Sequence, residues 1–163
     1  MKKLIYTLLI IIALTSNSFS AGTSSDNDSS SKVSDFTKAK NLVKAAKKYE
    51  KKGKIEKAQK RYAKAQKLLL KSNKKKPLQA DTLNYLGFTT RKLGDYEGGE
   101  KIYLQGLQIE PNHNGINEYL GELYIVTNRM DLAKERLEVL KICDCKEYKQ
   151  LKEIIEGTKK SKY

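Results

Sequence analysis

The 163-residue chain has no tryptophan, one histidine, two prolines and two cysteines. Each scarcity removes a class of explanation. A single imidazole, at His113, leaves too few ligands for a metal site, and no Ser, Cys or carboxylate arrangement beside it makes a nucleophilic set. It reads as a turn histidine in Pro111-Asn112-His113-Asn114-Gly115. The Gly-x₄-Gly-Lys-Ser/Thr spacing of a phosphate loop is also missing; Gly98-Gly99-Glu100-Lys101 reads as packing within a helix. No cofactor and no catalytic residue are therefore expected. With few prolines, few β-branched runs and abundant Lys, Glu, Leu and Ala, the chain favours helix.

Long apolar runs are missing too. Leu4 to Leu14 is an 11-residue stretch broken only by Thr7, too short to span a bilayer, which takes about 20 apolar residues. Lys2 and Lys3 precede it, and Ser18, Ser20 and Ala21 follow. That is the layout of a secretory signal peptide over residues 1–20, cleaved after Ser20 to give an exported, periplasmic or secreted chain. No Cys sits at the junction, which argues against a lipid anchor. Residues 21–35 are Ser- and Asp-rich, hold nothing that could fill a core, and are expected to form a disordered tether.

Acidic residues are scarce in one region only. Between Lys32 and Pro77 there are 18 Lys/Arg against Asp35, Glu50 and Glu56, a net +15, whereas residues 78–163 sum to −1. The whole excess of the chain sits there. Lys-rich composition alone accounts for much of it, and attraction to an anionic surface is the functional alternative: lipid headgroups, an acidic protein or a polymer, with nucleic acid least favoured in an exported chain.

What is present is a repeat. Leu86-Gly87 returns 34 residues later as Leu120-Gly121. The first copy continues through Gly94-Asp95-Tyr96, Gly99, Tyr103, Gly106 and Pro111; the second has Tyr124, Asn128, Ala133, Leu137 and Leu140 at or near matching offsets. Backward by 41 residues, Tyr49, Gly53, Ala58, Tyr62 and Ala65 match Thr90, Gly94, Gly99, Tyr103 and Gly106. Repeats are read at about 37–71, 80–112 and 114–145, with seven extra residues in a basic connection around Leu70–Gln79. A helix from a Ser34 or Asp35 cap through Lys51 carries Leu42, Ala45, Ala46 and Tyr49 on one stripe, and the next carries Ile55, Ala58, Tyr62, Ala65 and Leu69. Residues 146–156 form an amphipathic capping helix with Tyr148, Leu151, Ile154 and Ile155 inward, and 157–163 a polar tail.

This pattern resembles the tetratricopeptide repeat family, with Leu83, Leu86-Gly87, Gly94-Asp95-Tyr96, Gly99, Tyr103, Gly106 and Pro111 in family order. The resemblance implies an all-α superhelix of about three hairpins plus a capping helix. It also implies a non-catalytic scaffold binding a protein or peptide on the concave face, which the first helix of each hairpin lines. The non-core side of those helices offers Asp81, Asn84, Tyr85, Phe88, Arg91 and Lys92, then Glu118, Tyr119, Glu122, Ile125 and Val126. The candidate groove is Asn84, Tyr85, Phe88, Arg91, Tyr119 and Glu122, with Tyr85, Phe88 and Tyr119 as partly exposed aromatics. The alternative is electrostatic docking of the basic first repeat on anionic lipid or polymer. Cys143 and Cys145, two positions apart, leave a tight structural disulfide, free thiols, partner-linked thiols and, least favoured, a redox or metal role all open.

Overall fold

Ser34 starts the first helix because its hydroxyl accepts from the Thr37 N–H at 3.1 Å, which satisfies one of the free donors of the opening turn. The computed structural model describes residues 33–161. The expected leader 1–20, most of the expected tether and the last two residues of the tail lie outside them. Seven α-helices follow: α1 Asp35–Lys51, α2 Ile55–Lys75, α3 Ala80–Lys92, α4 Tyr96–Ile109, α5 Asn114–Val126, α6 Met130–Leu140 and α7 Lys146–Ile155. No strand occurs among the described residues, and no helix there is long and apolar enough to cross a membrane.

The helices pair as α1–α2, α3–α4 and α5–α6, and α7 closes the row against α5 and α6. Each hairpin turn needs a left-handed residue, supplied by Gly53 (φ 67°), Gly94 (φ 98°) and Asn128 (φ 57°). Gly and Asn are the residues that enter this region most readily, so Asn128 performs the turn of the third hairpin without glycine. The seven residues by which the first repeat exceeds the second are not a connection. They lengthen α2 to 21 residues against 14 in α4, two further turns ending at Lys75. Asn73 and Lys74 are tolerated in a helix; only Pro77, which lacks an N–H and restricts the residue before it, forces the stop.

The core runs along the row. Ala39, Ala46, Ala58, Tyr62, Ala65 and Leu69 have no exposure in the first hairpin, while Ile55 is 54% exposed and lies outside it. Tyr103, Ile116, Leu120, Leu123 and Ala133 continue the core. Gly87 is required by close approach: a Cβ there would lie 2.7 Å from two ring carbons of Tyr103. At Gly121 the equivalent Cβ would lie 2.6 Å from Leu151 Cδ2, so the capping helix rests directly on the third hairpin. Between them, Cys143 and Cys145 are joined as a disulfide with Cα atoms 5.1 Å apart, and Asp144 sits in the left-handed region at φ 40°.

Candidate functional site

The first helices of successive hairpins, α1, α3 and α5, stand side by side with α7 beyond them. Their shared face has two levels. The lower level is a polar network whose centre, Phe88, Arg91 and Glu122, is buried. Phe88 is 1% exposed and lies between the rings of Tyr62, 5.8 Å away, and Tyr119, 4.9 Å away. Lys47 of α1 reaches across with its ammonium 4.3 Å from the Phe88 ring centre and donates to Tyr119 Oη at 2.9 Å. Arg91 donates from Nη1 to the Tyr119 carbonyl at 2.7 Å, and its Nη2 lies 3.6 Å from Glu122 Oε2. Both side chains of that ion pair are fully buried. Gln150 of α7 donates to Glu122 Oε1 at 3.0 Å, so the network binds four helices in sequence. Burial, with the Glu118 carboxylate adding to it, pushes the Tyr119 phenol well above its ordinary range.

Phe88 is thus not a partly exposed groove aromatic. Arg91 and Glu122 are equally inaccessible. The side-by-side packing of α1, α3 and α5 closes over these positions, and the Arg91 and Glu122 charges face each other within the fold.

The upper level is a groove of about 580 Å³. Asn84, Tyr85 and Tyr119 line it; Phe88, Arg91 and Glu122 do not. Tyr85 is held by an edge-on contact with Phe36, ring centres 5.7 Å apart, and by Lys40, whose ammonium is 5.6 Å from its ring. Burial raises the Tyr85 phenol, assisted by Asp81. Asn84 is 7% exposed, and its Oδ1 accepts no hydrogen bond from any described residue. Its amide nitrogen lies against Gly115, where a Cβ would come within 2.6 Å. His113 forms one wall: Nδ1 accepts from the Ile116 N–H at 3.1 Å, capping α5, which turns Nε2 toward Asp81 at 3.4 Å. No Ser, Thr or Cys is among the residues that line the groove.

Lys40, His113 and Gln150 also line the groove and escaped the sequence reading. The 41-residue offset would have found Lys40, which is the first-repeat equivalent of Asp81. Gln150 carries no such signal, because α7 has no paired second helix. Lys92 and Glu118, also expected on the non-core side, diverge. Lys92 turns to Glu50 at 2.6 Å, away from the groove, whereas Glu118 lines it. Ile125 and Val126 are half-buried and do not line it.

No protein-family profile and no curated protein matches the sequence. Solved structures do match. The first TPR of Spaghetti (RPAP3) bound to the HSP90 peptide SRMEEVD is 18% identical, at TM-score 0.53, over 77% of this chain and 95% of that one. The Yersinia enterocolitica type III secretion translocator chaperone SycD is 16% identical, also at 0.53, over 73% and 86%. PcrH in complex with the chaperone binding region of PopD is 16% identical, at 0.52, over 72% and 88%. At such identities the likeness concerns fold. The chain has a tetratricopeptide-type fold, an all-α superhelix of three hairpins and a closing helix.

Proposed function

We propose that the chain is a non-catalytic binding module that holds an extended polypeptide segment in its concave groove. The observation that carries this is Asn84. A buried carbonyl oxygen without a partner costs about 1–3 kcal/mol, and Asn84 is among the residues that line the groove, beside Tyr85 and Tyr119. A turn of the Asn84 amide toward the groove would offer this oxygen to a backbone N–H of an extended segment, while the two rings cover the flanking side chains. Two of the similar structures hold a peptide or a segment of a partner protein, as their descriptions state.

The groove also suggests the sign of the segment. Asp81, Glu110, Glu118 and Glu147 face Lys40 and Lys146, an acidic balance within a chain of net charge +14. A neutral or Lys/Arg-containing segment fits this better than one such as SRMEEVD, which carries three acids.

Selection of a random peptide library on the full chain tests the reading. Extended sequences rich in Lys or Arg should be enriched, and Asn84→Ala with Tyr85→Ala should abolish the enrichment while leaving the helical content intact. Enrichment that survives both substitutions would remove the groove from the account. Export belongs to the same proposal, and N-terminal sequencing of the protein from its native cell should begin at Ala21; an intact Met1 would contradict it.

A further inference from the structure

The outward face of α2 carries Lys57, Lys60, Lys64, Lys67, Lys71 and Lys74. The spacing 3-4-3-4-3 places all six on one stripe, opposite the buried Ala58, Tyr62, Ala65 and Leu69. All are exposed, and among the described residues only Lys71 meets a carboxylate, Asp35 at 3.6 Å. At 1.5 Å per residue the stripe is about 25 Å long. It is not a property of the repeat: the equivalent positions in α4 are Gly98, Lys101, Gln105 and Gln108. Lysine, not arginine, makes up 17 of the 18 cations between residues 32 and 77, which supplies charge without the forked geometry that reads a base edge or grips one phosphate.

A second, independent observation lies at the end of the stripe. Lys74-Lys75-Lys76-Pro77 leads into Leu78, which adopts φ 57° and is 70% exposed. A branched side chain in the left-handed region is a backbone cost, and here it holds an apolar group out in water. Leu70, between Lys67 and Lys74, is 54% exposed. Exposed leucines give nothing to a soluble polyanion. At a lipid headgroup boundary they are buried while the lysines meet the phosphates.

We propose that the outward face of the first hairpin docks on an anionic lipid bilayer, with the α2 lysines on the headgroups and Leu70 and Leu78 in the acyl boundary. This surface is separate from the groove and does not depend on it.

The test is co-sedimentation of the full chain with vesicles of phosphatidylcholine alone or mixed with phosphatidylserine. Binding should require phosphatidylserine and fall sharply as salt rises from about 0.1 to 0.5 M. Lys60→Gln with Lys64→Gln and Lys67→Gln should weaken it about tenfold or more. Leu78→Asn should weaken it about threefold while leaving the Tm equal or higher, because asparagine accepts the left-handed backbone. That pairing of effects separates docking from a folding role. Equal binding to neutral vesicles would overturn the proposal, as would an unaffected lysine variant. So would binding to double-stranded DNA as tight as to vesicles with no effect of Leu78→Asn, which would mark a general polyanion surface.

Discussion

The first hairpin and the second solve one packing problem with different residues. Where α3 and α4 approach, Gly87 faces Tyr103 and Gly99 faces the Gly87 carbonyl and Arg91. The equivalent positions in α1 and α2 are Ala46, Tyr62 and Ala58, all without exposure. One hairpin therefore accommodates a methyl group where the other leaves no room. Their polar groups differ as well. The second and third hairpins fully bury an ion pair, Arg91–Glu122, whereas the first leaves Lys47 and Glu50 half-buried, with Glu50 accepting from Tyr62 at 2.7 Å and meeting Lys92 at 2.6 Å. The comparison teaches that tightness and charge are divided along the row. The middle is specified by close contact, and the N-terminal end is free to carry a surface.

The largest effect should come from unbalancing the buried pair. Glu122→Ala leaves Arg91 charged and enclosed and should cost about 3–5 kcal/mol, against less than about 0.5 kcal/mol for Glu56→Ala on the exposed first hairpin. Denaturant unfolding of the two variants reads the contrast directly.

Next comes the glycine asymmetry. Gly87→Ala drives a methyl into the Tyr103 ring and should cost about 1–3 kcal/mol. The reciprocal Ala46→Gly loses about 1 kcal/mol of helix propensity and needs no repacking. Equal losses would show that the two hairpins are packed alike.

A third effect, read by pH, is shared by the regions. Burial raises the Tyr103 and Tyr119 phenols above the ordinary 10.0, and burial with the Glu50 hydrogen bond does the same at Tyr62. Stability from a raised phenol is complete below pH 10 and lost as pH climbs toward the folded value. Alkaline titration followed by NMR of these three rings should show their phenolates appearing together with unfolding, and not before it. The smallest effect belongs to Asp35, lowered from 3.8 mainly by the hydrogen bond from Lys75. Its contribution is present above pH 3.8 and fades as pH falls further, so Asp35→Asn should leave the Tm unchanged in strong acid and slightly lower it at neutral pH.

Much of this was legible in the chain itself. Leu86-Gly87, Gly94 and Leu120-Gly121 carry the hairpins because their roles are local: a close approach or a turn leaves a residue type at a fixed offset. The fate of Phe88, Arg91 and Glu122 was not legible. Helical spacing places them on the face away from their own hairpin, and that face is closed by neighbouring first helices whose separation no period encodes. Tyr85 and Tyr119, at equivalent repeat positions, are half-buried and still line the groove. Length was misjudged in α2 for a related reason. Polar residues such as Asn73 and Lys74 look like a break, yet only Pro77 supplies a physical stop.

The account rests on Asn84 as the buried acceptor that a bound segment completes. The most direct measurement is the Kd of a library-selected peptide for the full chain and for Asn84→Ala, taken with the Tm of each. The account predicts binding weakened about tenfold, as for a lost buried hydrogen bond, at an unchanged or higher Tm, since the substitution removes an unsatisfied group. An unaltered Kd would contradict it.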